Sequence, residues 1–106
     1  MASTLSNITY DIGDRVRLSI EVRDLENGNV LIDPDELVFT MKEPDGTQTE
    51  YTLGVNAEIV NDGVGLYHVN WDTSQDGVHW SRFQASGNVG AAEERGFKVR
   101  DSKVLP

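Results

Sequence analysis

Residues 15–24 read RVRLSIEVRD, and that stretch suits one kind of local structure. Val16, Leu18, Ile20 and Val22 take every second position, and Arg15, Arg17, Ser19, Glu21 and Arg23 take the others. A period of two sends one set to each face of a strand, one buried and one wet. A helix would scatter the same residues around its circumference. The pattern recurs. In ELVFTMKE, Leu37, Phe39 and Met41 alternate with Val38, Thr40 and Lys42. In LYHVNWD, Tyr67, Val69 and Trp71 alternate with Leu66, His68 and Asn70. TEYTLG sets Thr49, Tyr51 and Leu53 on one side, GFKVR turns Phe97 and Val99 inward, and a short strand over Ile8–Ile12 opens the chain.

Turn signals separate these runs. PDGT at Pro44–Thr47 joins a proline with a preset φ to a glycine that accepts a positive one. NDGVG at Asn61–Gly65 and TSQDG at Thr73–Gly77 follow, and SGNVGAAEERG reads as a connection of small residues. The longest irregular piece is LENGNVLIDPDE, Leu25–Glu36. Asn27-Gly28 marks a tight turn, and Asp33, Pro34 and Asp35 resist strand pairing. The expectation is about seven strands in an all-β sandwich, with this loop at one end.

The totals narrow the functional classes. One domain over residues 1–106 is expected at this length. With no cysteine there is no disulfide and no thiolate metal site. Nine basic residues against 18 acidic ones give a net charge of −9, which argues against nucleic acid or an anionic membrane as partner. No apolar run reaches membrane-spanning length, and MASTLSNITYDIGD lacks the basic start and apolar middle of a signal peptide. A complete small gene product is expected.

One strand is ambiguous. In DGVHWSRFQASG, residues 76–87, one stripe holds Val78, Trp80, Arg82 and Gln84, and the other His79, Ser81, Phe83 and Ala85. Burying Arg82 without a partner is costly. The second stripe asks only that a histidine and a serine find places. Phe83 is therefore expected in the core and Trp80 outside. Trp and Arg are enriched at interface hot spots, which makes Trp80, Arg82 and Gln84 the candidate partner interface.

GLYHVNWDTSQDGVHWSRFQASG resembles the last three strands of immunoglobulin-like domains of the filamin and macroglobulin kind. YDIGDRVRLSIEVRD resembles their opening, and EPDGT their third turn. The resemblance spans about Tyr10 to Arg100 and implies a seven-stranded immunoglobulin-like β-sandwich. More narrowly, Tyr10–Asp14, Pro44–Thr47, Gly65–Tyr67 and Ala92–Val99 are similar to segments of small accessory proteins of tailed bacteriophages and prophages. That similarity implies a virion part, a head decoration or head–tail accessory protein. It would be made in the host cytoplasm and would dock on capsid or connector subunits or on its own copies. The sequence departs from the pattern at His79, which stands two residues after the turn glycine, where an aromatic residue is expected.

Other chemistries are thinly supported. His68 and His79 lie on adjacent strands, with no nucleophile elbow or phosphate loop nearby, so no enzyme and no cofactor are expected. His68 is expected to face solvent and His79 to fill part of an end layer. Asp33, Asp35 and Glu36, or Asp72 and Asp76, offer oxygens of the kind calcium takes, but without ligand spacing. Turn chemistry, with aspartates bonding nearby amides, is the simpler account. The alternative to protein docking is a carbohydrate- or cell-surface-binding module, with Trp80, Arg82 and Gln84, or His68 and Asn70, meeting a glycan.

Overall fold

The computed structural model describes residues 4–101, with side chains from residue 8 onward. Ten strands fall among them: β1 (Thr4–Asp11), β2 (Arg15–Glu21), β3 (Arg23–Asp24), β4 (Val30–Leu31), β5 (Glu36–Lys42), β6 (Gln48–Thr52), β7 (Val60–Gly63), β8 (Leu66–Asp72), β9 (Gly77–Ser86) and β10 (Ala91–Arg100). One five-stranded sheet runs β1-β10-β9-β5-β6, one three-stranded sheet runs β2-β8-β7, and β3 and β4 form a small ribbon. All pairings are antiparallel except β1 with β10. The arrangement is all-β and sandwich-like.

Both large sheets bury the alternating faces. Val16, Leu18, Ile20, Tyr67, Val69 and Trp71 come from one sheet, and Leu37, Phe39, Met41, Phe83, Ala85, Phe97 and Val99 from the other. Aromatic rings join the layers. Phe39 lies 4.9 Å from Phe83 within its own sheet and 6.4 Å from Trp71 across the core, ring centre to ring centre. Phe83 is 3% exposed, so the inward stripe of β9 is His79, Ser81, Phe83 and Ala85, as the cost of burying Arg82 implies. His79 fills the aromatic slot: fully buried, it stacks on Phe97 at 5.0 Å with the rings 11° apart.

The strand count exceeds the expected seven. Part of the excess is a ribbon of two two-residue strands: β3, split from the end of the expected strand over residues 15–24, and β4 inside the long connection, with a 3-10 turn at Leu25–Asn27 between them. The rest is β7, whose four residues are all exposed and whose composition reads as a turn. Its order comes from pairing with β8. The connection after β9 is also shorter than expected, because β10 already begins at Ala91 and pairs with β9 along its whole inner edge. The first strand starts at Thr4 rather than Ile8.

His68 corrects an expectation. It points away from the core yet is only 7% exposed. Val60 and Ser19 stand directly opposite it on the flanking strands, and its Nδ1 lies 2.6 Å from the Asp62 carboxylate.

Truncating Phe83 to alanine removes a ring packed on Phe39 and should cost about 3–5 kcal/mol. Trp80→Ala, at a half-buried site, should cost less. Urea melts of the two variants check the order, and a larger loss for Trp80→Ala would reverse the facing of β9.

Candidate functional site

With Phe83 inward, alternation turns Trp80, Arg82 and Gln84 onto the outer face of the five-stranded sheet. Register then chooses their neighbours. Trp80 sits between Lys42 on β5 and Gly96 on β10, and Arg82 between Thr40 and Glu94. The Trp80 ring lies against the Gly96 backbone: a Cβ added at residue 96 would stand 2.6 Å from Trp80 Cζ3. Any larger residue there would lift the ring. The indole is half-buried, and it borders an open hollow of about 510 Å³. Thr40, Lys42, Gln48, Glu50, Arg82 and Glu94 complete the hollow's rim.

Gln84 does not share this hollow. It borders a second one, of about 620 Å³, with Leu25, Asn29, Gly90 and Ala92. The structure therefore brings Trp80 and Arg82 together and places Gln84 with the loop end.

The charges around Trp80 differ from those elsewhere. Five arginines stand in surface ion pairs: Arg15–Asp72 at 2.7 Å, Arg17–Asp62 at 3.3 Å, Arg23–Glu21 at 3.2 Å, and Arg95–Glu93 and Arg100–Asp11 at 2.6 Å. Lys42, Arg82 and Lys98 have no ion pair or hydrogen bond among the described residues. All three are exposed on the Trp80 face. Lys42 is directly opposite Trp80, Arg82 is two residues along β9, and Lys98 is two residues beyond Gly96 on β10. The ninth cation, Lys103, lies outside the described residues. Reasoning from sequence missed Lys42, Lys98 and Gly96 as parts of this site. Each is ordinary on its own strand and becomes notable only through the register between strands.

The loop end is braced by side chains. Asp33 Oδ1 accepts from the Gly65 amide and from the Tyr67 hydroxyl, each at 2.8 Å. The Asn88 amide donates to Asp35 Oδ2 and the Asp35 amide to Asn88 Oδ1, each at 2.8 Å, while Asn88 Nδ2 donates to the Asp33 carbonyl at 3.0 Å. Gly65 has φ +71°, and a Cβ there would come within 2.7 Å of the Val22 carbonyl, so glycine lets the β7–β8 turn press against this connection. Four of the five carboxylates that suit calcium by type are engaged in such bonds: Asp33 and Asp35 as above, Glu36 with the Ser86 hydroxyl, and Asp72 with Arg15. Among the described residues no group of three or more His, Asp or Glu side chains converges to hold a metal ion. The two histidines sit on different sheets with separate partners. No helix among the described residues is long and apolar enough to cross a membrane.

Titration follows from the brace. The Gly65 amide, then the Tyr67 hydroxyl, hold the Asp33 carboxyl below its ordinary value. Burial first, then the bond to Asp33, push the Tyr67 phenol up to about 12.

No family model matches the chain, and no curated protein matches it.

Two measurements test these placements. Gly96→Ala should displace the Trp80 ring and change its tryptophan emission, while Gly90→Ala, in open space, should leave the spectrum as it is. The Tyr67 contribution to stability should be complete below about pH 10, its value in unfolded chains, and be lost as pH rises toward about 12. Asp33 contributes at the other extreme: its share is present above about pH 4 and is lost as pH falls through its lowered value. Burial and Glu58 also raise Tyr51, so ultraviolet titration should show the latest of the tyrosine ionisations disappear in Tyr67→Phe; an unchanged curve would remove the assignment.

Proposed function

We propose that this chain is a non-enzymatic docking domain of immunoglobulin-like topology, serving as a decoration or head–tail accessory protein of a tailed-phage particle. Strand order supports the fold assignment. Sheets ordered β1-β10-β9-β5-β6 and β2-β8-β7 follow an immunoglobulin-like order with two departures: the first strand pairs with the last instead of the second, and β6 adds an edge strand to the sheet containing the last two strands. The short ribbon β3–β4 then lies within the connection between the second and third main strands. The phage assignment rests on the motifs at Tyr10–Asp14, Pro44–Thr47, Gly65–Tyr67 and Ala92–Val99.

The observation that carries the docking role is Trp80 held half-exposed on Gly96, beside cations that form no ion pair among the described residues. An aromatic ring fixed by its backing loses little conformational freedom on binding, and an unpaired arginine next to it is ready to meet a partner's carboxylate. Contacts repeated over a symmetric shell act together, so each one needs only modest affinity.

A second reading has its own observation. The hollow beside Trp80 is rimmed by Thr40, Gln48, Glu50 and Arg82, which suits a sugar ring stacked on the indole with its hydroxyls bonded at the edges.

Co-sedimentation with purified particles of the encoding phage, set beside a glycan array, tests both. Saturable binding to particles that falls at least tenfold in Arg82→Glu supports the virion role. Binding to glycans alone would replace it with the second reading.

A further inference from the structure

The Trp80 face has a counterpart on the same molecule. Leu25 is 79% exposed, the joint highest among the large hydrophobics of the described residues, and it stands between two acids, Asp24 and Glu26. The turn that carries it is preformed. The Asp24 carboxylate caps the 3-10 turn by accepting from the Glu26 amide at 3.2 Å. The Asn29 amide returns to the Asp24 carbonyl at 2.8 Å, and Arg23 Nη1 donates to the Asn29 carbonyl at 3.0 Å. Val30, half exposed, extends the apolar tip. An apolar knob with an acidic collar thus projects from the loop end.

The face around Trp80 has the inverse pattern: an apolar ring above a hollow, with Lys42, Arg82 and Lys98 on three sides. Lys42 and Arg82 balance Glu50 and Glu94 around the hollow itself, and Lys98, two residues beyond Gly96, adds a third cation to the face, on a chain whose total is −9. Lys42 and Lys98 are separated by two strand spacings across the sheet and two residues along it, about 12 Å in all. Acids on either side of one leucine can reach both cations through long, mobile lysine side chains. Leucine itself needs only part of a hollow of about 510 Å³.

We infer that a second copy of this chain docks its Asp24–Leu25–Glu26 turn onto the Trp80 face. The inference rests on the reading of that face as a docking surface and names its occupant. Two different patches meet, so the contact is heterologous: one copy keeps a free knob and the other a free socket. Net charge opposes association between like chains, and local complementarity of opposite sign decides where contact forms.

Sedimentation of the full chain from micromolar to millimolar concentration tests this directly. The average mass should rise with concentration. Lys42→Glu/Arg82→Glu removes the socket, Leu25→Lys removes the knob, and each variant alone should stay monomeric. Mixed, they should form a one-to-one dimer and nothing larger, since one intact socket and one intact knob remain. A wild-type chain that stays monomeric throughout overturns the inference. So does self-association of Leu25→Lys alone, which would mean that Trp80 faces meet each other. Particle binding by the wild-type chain is read separately, so a chain that stays monomeric yet binds particles discards only this inference. An acidic peptide or acidic glycan that saturates the Trp80 face of a monomeric chain would give the socket a different occupant.

Discussion

The contact of Phe83 with Phe39 decides the rest of the outer surface. Their ring centres lie 4.9 Å apart inside one sheet, and Trp71 closes over Phe39 from the other. Strand geometry has a period of two, so a ring locked inward at residue 83 leaves residues 80, 82 and 84 no choice of face. A slip of one residue would bury Arg82 and expose Phe83, losing apolar burial and stranding a charge at once. The exposed tryptophan is thus a by-product of core packing at its neighbour. Gly96 then makes it tolerable by letting the indole cover bare backbone that a side chain would otherwise shield.

The sequence is most legible where alternation is clean and one face is wholly apolar, as in β2, β5 and β8. It fails where order is conferred by a neighbour. Val60–Gly63 has the composition of a turn and no buried residue, and it becomes β7 because β8 offers an edge to pair with. Ala91–Arg95 reads as linker, yet it continues β10 because β9 is long enough to pair with it throughout. His68 looks solvated from its place on the polar stripe. The Asp62 carboxylate that engages it belongs to the strand that was not foreseen. Register explains the remaining gap. Trp80 and Arg82 share a strand and can be read as a pair, whereas Lys42 and Gly96 reach Trp80 only through cross-strand alignment, which no single stretch of sequence reveals.

The loop end shows how polar residues can replace a buried core where two sheets stop. Asp33 ties the long connection to the β7–β8 turn and to Tyr67, and Asp35 with Asn88 ties it to the β9–β10 turn. Asp33 and Asp35, which resemble metal ligands by type, are consumed by amide and hydroxyl donors, and the bonds to the Gly65 and Asn88 amides satisfy backbone groups that would otherwise lack a partner. Three loops are thereby held in one frame, and Leu25 projects from a stiff mount rather than a mobile tip.

That stiffness bears on assembly. Ion pairs neutralise five of the eight described cations in place, each an exposed pair worth little to stability. Among the described residues, the cations left outside ion pairs are those on the face around Trp80. On a chain of net charge −9, those three cations give an acidic surface something to meet there, alongside Glu50 and Glu94. The acidic leucine turn lies at a different part of the same rigid body, so any contact between the two carries one copy on to the next. Whether such a chain closes into a ring or runs on as a filament depends on the rotation between successive copies, and with both patches on rigid supports that rotation is set by the sandwich itself.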